Sequence, residues 1–230
     1  MWALFWRLYA AHLFADFPLQ TPAIVTRKGK IRGLLIHTAL VLLTTTVVIF
    51  PLALYRPILW TLPIVITASH FLVDYLKSLV KNVDGKSSFI LFIMDQSAHL
   101  GFTLLFTSIY AWEYSYGNPV PYFEFALAIF AIWGGPILVF QIKCLIKKVE
   151  EVTVYREPFP RFAIIERALL FLGLLSSSIW LLLAGIIIPI VIRGLLLLNE
   201  ENVPLPVFEW LIAIVLALSA RLSFGPISIF

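Results

Sequence analysis

Seven residues of ligand type stand inside apolar stretches of the chain: His12, Asp16, His37, His70, Asp74, Asp95 and His99. Six of them form three pairs, His12-x3-Asp16, His70-x3-Asp74 and Asp95-x3-His99. Residues four apart share one helical face, so each pair presents an imidazole and a carboxylate in the same direction. An aspartate within a membrane span costs about 2.5–3.5 kcal/mol on insertion scales, so three of them require partners or a purpose. Imidazole with carboxylate suits zinc first, with iron or manganese as alternatives. Thiolate chemistry is absent, since Cys144 is the single cysteine. Seven groups exceed the needs of one tetrahedral ion, and two ions bridged by an aspartate would use them better. A metal-bound water, its pKa drawn toward about 7, would be the nucleophile, with His37 or Asp95 as acid/base group.

The order of the pairs says how the helices must run. Cytoplasmic charges serve as a ruler: Asp16 precedes Arg27 by eleven residues, Asp74 precedes Lys81 by seven, and Asp95 follows Lys86 by nine. His12, His70 and His99 each lie one turn, about 6 Å, deeper than their paired aspartate. The first and third helices run inward and read His-then-Asp, while the fourth runs outward and reads Asp-then-His. That reversal keeps the imidazoles level with one another and the carboxylates level with one another. An offset of 58 residues also maps His12 onto His70, Asp16 onto Asp74, His37 onto Asp95 and Lys28 onto Lys86. A duplicated helix hairpin would produce this relation.

The chain has 230 residues, 61% hydrophobic and only 13% charged. Globular domains carry about a quarter charged residues, so a soluble domain is excluded, as are coiled coils, disordered tails and disulfide scaffolds. Seven spans are expected, at 2–21, 33–50, 56–80, 87–111, 120–145, 161–192 and 205–223, with Pro63 and Pro189 as kink points. The first lacks a preceding basic region and reads as a retained span. Arg27, Lys28, Lys30 and Arg32 crowd the first loop, Lys77, Lys81 and Lys86 the third, and Lys143, Lys147, Lys148, Arg156 and Arg161 the fifth. The alternate loops hold Arg56, Glu113, Glu124, Glu200, Glu201 and Glu209, with Arg193 at the edge. This asymmetry places the N-terminus outside and the C-terminus in the cytoplasm, with Trp112, Tyr114, Tyr116, Tyr122 and Trp210 in the outer belt. The net charge of +4 therefore records orientation and is no nucleic-acid signal.

Each polar feature also has a plainer reading. His37 alone would be a hydrogen-bonded packing residue, and any single pair a local contact on one helix. A proton or ion pathway should cross the membrane, whereas these groups crowd the cytoplasmic third. Haem ligation would leave the aspartates idle. Lys77 either pairs with Asp74 or holds an anionic group, and Lys28 either obeys the orientation rule or attracts headgroups. Gln20 and Gln96 either donate to the ligands and orient them or are ordinary polar residues near a helix end. Further along, Glu166 and Arg167 read as an interfacial charge pair or an anchor. Gly134-Gly135-Pro136 breaks the fifth span, and Ser176-Ser177-Ser178 would allow close helix packing.

The motifs His12-Leu-Phe-Ala-Asp16-Phe-Pro-Leu-Gln20, Leu34-Leu35-Ile36-His37, His70-Phe-Leu-Val-Asp74-Tyr-Leu-Lys77 and Asp95-Gln96-Ser-Ala-His99 resemble a known group. It is a family of uncharacterised prokaryotic integral-membrane proteins classed only as a domain of unknown function. The resemblance covers residues 10–100 and extends weakly to Arg161-Phe-Ala-Ile-Ile-Glu166-Arg167. A looser likeness in motif style points to membrane-bound metal-dependent hydrolases. The family label implies no activity, so the chemistry rests on the geometry.

The expectation is an all-α integral membrane protein of the prokaryotic inner membrane. Residues 1–115 would form a four-helix metal-site bundle, and 116–230 a three-helix transmembrane bundle. The expected function is divalent-metal-dependent hydrolysis of a lipidic or amphipathic substrate near the cytoplasmic leaflet. A metal- or proton-coupled transporter, or an accessory subunit of a membrane complex, would use the same cluster.

Overall fold

A computed structural model of the chain describes residues 1–28, 30–80, 83–110, 118–152, 155, 160–199 and 206–224. Lys81, Trp112, Glu113, Tyr114, Tyr116, Arg156, Glu200 and Glu201 lie outside the described residues. The helices are α1 (Trp2–Asp16), α2 (Pro22–Val25), α3 (Ile31–Ala53), α4 (Thr61–Ser78) and α5 (Gly85–Tyr110), then α6 (Val120–Ile129), α7 (Gly135–Ile146), α8 (Pro160–Leu175), α9 (Ile179–Asn199) and α10 (Val207–Phe224). Among the described residues there is no strand. Among the described residues, five segments are long and apolar enough to cross a membrane: Ile31–Ala53, Pro57–Ser78, Gly85–Tyr110, Val120–Ile146 and Ile179–Leu196. That is the build of an integral membrane protein. Leu35, Leu43, Val47, Ile64 and Leu72 are exposed on these helices, as a lipid-facing surface requires.

The chain gathers into two compact units, residues 1–126 with 140–155, and residues 127–139 with 156–230. In the first, α1 packs on α3, α3 on α4, α4 on α5, and α5 back on α1, closing a ring of four helices. Helices related by the 58-residue offset, α1 with α4 and α3 with α5, face each other across its diagonals. One end of the ring is an apolar core of Leu4, Leu8, Ile49, Leu59, Leu62 and Ile66. In lipid such a core is held by close packing and dispersion rather than by exclusion of water.

The expected first span, 2–21, is instead a helix of 15 residues, about 22 Å long and short of a hydrocarbon core of about 30 Å. Pro18 ends it by offering no N–H to the Phe14 carbonyl four residues earlier, which accepts the Leu19 N–H at 3.2 Å instead. The turn after α2 then folds back against α3, which Gly33 permits, since a Cβ there would overlap the Arg27 carbonyl. Pro63 is no kink: it falls in the first turn of α4, following a 3-10 turn at Pro57–Trp60, where a missing N–H costs little. Asp84 precedes α5 and accepts the Ser87 N–H at 2.8 Å; hydrogen bonding from the Ser87 hydroxyl, and then from this N–H, holds its carboxyl below the usual carboxylate range.

The second unit departs most from expectation. The anticipated span 161–192 is two helices, α8 and α9, joined by a turn at Ser176–Ser178. Glu166 of α8 meets Arg193 of α9, while a Cβ on Gly173 would lie 2.8 Å from Gly185 Cα. Early residues of one helix thus face late residues of the other, and the pair is an antiparallel hairpin. The two glycines let the backbones touch. The turn is held by Ser176 Oγ accepting the Ser178 N–H at 3.0 Å, the competition with helical bonding that serines offer. Arg221 of α10 donates to the Leu174 and Ser176 carbonyls at 3.0 and 3.2 Å, satisfying the end of α8.

Gly134-Gly135-Pro136 does not break the fifth helix. A π-helical stretch, Phe130–Gly134, carries it from α6 into α7. Pro136 has no N–H for the Ile132 carbonyl four residues earlier, and Arg167 Nε donates to that carbonyl at 2.7 Å instead. Glu166, Arg167 and Arg193 are all buried, at 0%, 2% and 5% exposure, so they are internal links and not an interfacial pair reaching headgroups. Arg193, placed at a loop edge by the sequence reading, is the partner of Glu166.

Candidate metal centre

The ring brings all seven ligand-type residues together. α1 supplies His12 and Asp16, α3 His37, α4 His70 and Asp74, and α5 Asp95 and His99. Their exposures lie between 0% and 7%, at the end of the ring opposite the apolar core. Each His-x3-Asp or Asp-x3-His pair does share an inward helical face, and the reversed order in α5 keeps its residues in register with those of α1 and α4. His70 and His99 stack with ring centroids 4.0 Å apart and 15° between planes. His12 lies 4.7 Å from His99 and 5.3 Å from His70.

Four donor atoms make the tightest group. His37 Nε2 is 2.8 Å from His70 Nε2, 3.1 Å from Asp16 Oδ1 and 3.4 Å from Asp74 Oδ2. His70 Nε2 is 3.4 Å from Asp16 Oδ1 and 3.3 Å from Asp74 Oδ2. Ligands held about 2.0–2.1 Å from one ion stand about 2.9–3.4 Å from each other, depending on the angle between them. Asp16, His37 and His70 form one of the triads whose ligand atoms all lie within 4.8 Å of one another; His12, His70 and His99 form a second, and Asp16, Asp95 and His99 a third.

Hydrogen bonds join His37 Nε2 to His70 Nε2 and Lys28 to Asp74 Oδ2, but they leave other atoms of the cluster unmet. His12 Nε2, Asp16 Oδ1, Asp95 Oδ1 and His99 Nε2, all facing the cluster, are buried without a hydrogen-bond partner. Buried polar atoms left in that condition carry a desolvation cost of about 1–3 kcal/mol each. A cation among them would remove it.

Lysines and glutamines close the exposed side of the centre. Lys77 pairs with Asp95 at 2.9 Å rather than with Asp74, whose partner is Lys28 at 2.8 Å. Lys28 is therefore more than an orientation charge: the turn after α2 carries it onto the site. The Lys77 side chain is 39% exposed and that of Lys28 18%. Gln96 Nε2 donates to Asp16 Oδ2 at 3.3 Å and to Asp95 Oδ2 at 3.2 Å. With the Gln20 amide assigned the orientation that satisfies both its ends, its nitrogen donates to the Asp16 carbonyl at 2.8 Å and its oxygen accepts from Lys28 Nζ at 2.9 Å. Gln20 thus caps the carbonyl freed where α1 stops and steadies Lys28 over Asp74.

Three supporting residues escaped the sequence reading. Tyr9 stacks on His12 at 5.8 Å and 29°; its place three residues earlier on the same helical face was the available signal. Thr103 Oγ1 donates to the His99 carbonyl at 2.8 Å. Arg7, a charge inside the first apolar stretch, donates to the Val48 carbonyl at 3.2 Å and lies 4.4 Å over the Tyr122 ring. Tyr122, expected in the interfacial belt, is the platform for that guanidinium.

A helical ring with a buried cluster of four imidazoles and three carboxylates, set in a chain built to cross a membrane, defines an integral membrane protein with a candidate metal centre. The chain belongs to the family described as protein of unknown function (DUF3307), whose model matches residues 4–120. The matched region contains all seven clustered residues together with Gln20, Lys28, Lys77 and Gln96. No curated protein and no solved structure matches the chain.

Proposed function

We propose that this protein is a membrane-embedded, divalent-metal-dependent hydrolase that acts on a lipidic or amphipathic substrate. The observation that carries the proposal is the spacing of Asp16 Oδ1, His37 Nε2, His70 Nε2 and Asp74 Oδ2, 2.8–3.4 Å in every measured pair. Two imidazoles and two carboxylates suit zinc, with iron or manganese as alternatives. The ion would lower the pKa of a bound water toward about 7 and polarise the bond to be cut. In this reading His37 is a ligand, and the Asp95 carboxylate receives the water's proton. Lys77 and Lys28 flank the centre and supply contacts for an anionic headgroup.

The basic residues Arg27, Lys28, Lys30, Arg32, Lys77 and Lys86 flank the polar end of the ring. By the positive-inside rule that end faces the cytoplasm, with the N-terminus outside, in a prokaryotic inner membrane. The reversal at Ser176–Ser178 removes the span parity on which seven crossings and a cytoplasmic C-terminus were expected, so this orientation concerns the first unit. The apolar core of Leu4, Leu8, Ile49, Leu59, Leu62 and Ile66 seals the other end of the ring. Such a seal favours a one-sided enzyme pocket over a path through the membrane.

Elemental analysis of protein purified in detergent tests the metal. The wild-type chain should retain metal through dialysis, and the His70→Ala/Asp74→Ala/Asp95→Ala variant should retain none. Equal metal in both would end the reading. Zinc-dependent release of product from ester, amide and phosphoester lipids tests hydrolysis. Metal flux across liposomes without product release would favour transport instead.

A further inference from the structure

Resting on the same metal reading, we infer that the centre holds two divalent ions and that the Asp16 carboxylate bridges them. The first ion engages Asp16 Oδ1, His37, His70 and Asp74. That leaves a complete second set: His12 Nε2, His99 Nε2, Asp95 Oδ1 and the other oxygen of Asp16. Here His12 Nε2 lies 3.7 Å from Asp16 Oδ2, and His99 Nε2 lies 3.5 Å from Asp95 Oδ1. These separations are too long for hydrogen bonds and fit atoms turned toward a shared point between them. The rings of His12 and His99 are 4.7 Å apart, and Asp16, Asp95 and His99 form a triad within 4.8 Å.

The orphaned atoms mark this second set. His12 Nε2, His99 Nε2 and Asp95 Oδ1 all lack a hydrogen-bond partner, and their residues are 2%, 4% and 6% exposed. Lys77 and Gln96 hold Asp95 by Oδ2 at 2.9 and 3.2 Å, which turns Oδ1 inward. Gln96 reaches Asp16 Oδ2 as well, at 3.3 Å, and steadies the bridge. A carboxylate with one oxygen toward each set suits ions about 3.5–4 Å apart, the spacing of two-ion hydrolytic centres. Asp95 then serves the second ion as a ligand, and a water held between the two ions would release its proton to solvent as it becomes the hydroxide nucleophile. Three carboxylates and two ammonium groups leave one negative charge, which two dications turn into a surplus of positive charge. An anionic substrate group is what such a centre would attract.

The full chain, purified in detergent and stripped with chelator, is titrated with Mn2+ and read by elemental analysis and electron paramagnetic resonance. The expected result is two ions per chain with coupled spins, falling to one uncoupled ion in His12→Ala/His99→Ala. One ion per wild-type chain, or two uncoupled ions, overturns the bridged pair and leaves the single-metal reading standing. No bound ion overturns both. The wild-type stoichiometry and coupling decide the matter even if the double variant does not fold.

Discussion

His37→Ala isolates the contribution of the metal from that of packing. His37 is 0% exposed, and its Nε2 lies 2.8–3.4 Å from three other donors, so its removal takes one of four ligands from the tightest group. Residues that only orient a ligand are worth about 10–100-fold in metal affinity, and loss of a ligand itself should cost at least the upper figure. At a free metal concentration of about one hundred times the wild-type Kd, binding adds about 2.7 kcal/mol to stability. With Kd raised about a hundredfold, the same concentration adds only about 0.4 kcal/mol. For a chain of this size about 2–4 °C accompanies each kcal/mol. The metal-induced rise in Tm should therefore fall from roughly 5–11 °C to roughly 1–2 °C. Alanine also leaves a cavity, which lowers Tm with or without metal. The quantity to compare is accordingly the difference between zinc-loaded and chelator-treated protein in one detergent. An equal shift in wild type and variant would refute metal binding through His37 and the ligand geometry built on it.

Lys28→Met should tighten metal binding while lowering turnover of an anionic substrate. Its ammonium holds Asp74 Oδ2 at 2.8 Å, and a single charge about 5 Å from a dication repels it by about 1.7 kcal/mol even at the dielectric constant of water. Competition against a chromophoric chelator should show at least about a tenfold gain; weaker binding would mean that Lys28 positions Asp74 for the ion. In the second unit, Arg167→Met should cost about 1–3 kcal/mol by orphaning the Ile132 carbonyl, measured by denaturant unfolding in detergent. Pro136→Ala restores an N–H for that carbonyl, so the Arg167→Met penalty should shrink in the Pro136→Ala background. Strict additivity in this double-mutant cycle would contradict the pairing.

The candidate site was legible because helical periodicity converts spacing into direction. Any helix through His12 and Asp16 must point both side chains one way, and the reversed order at Asp95 and His99 needs only a helix running in the opposite sense. Lys28 was visible as a charge and a candidate headgroup contact, but its pairing with Asp74 at 2.8 Å was not. Its position depends on where α1 stops, on Gln20 capping the freed carbonyl, and on Gly33 admitting the turn. The partner of Lys77 was hidden for a similar reason: α4 alone offers Asp74, and only the packing of α5 brings Asp95 within reach, at 2.9 Å.

Apolarity over 18 or more residues reads as a span whether or not the chain turns back inside it, because hydropathy carries no sign of direction. The division of 161–192 at Ser176–Ser178 depended on Gly173 meeting Gly185, on Glu166 meeting Arg193, and on Arg221 covering the end of α8. Pro136 likewise announced a lost hydrogen bond, but the identity of the group that replaces it, Arg167, is a property of a different helix. By itself the sequence determined the all-helical, apolar character of the chain and the directions of the seven ligand-type side chains, since these follow from composition and a period of about 3.6 residues. The tertiary structure alone decided which atoms meet. Distances of 2.8–3.4 Å between side chains on different helices arise from packing, which no local periodicity encodes.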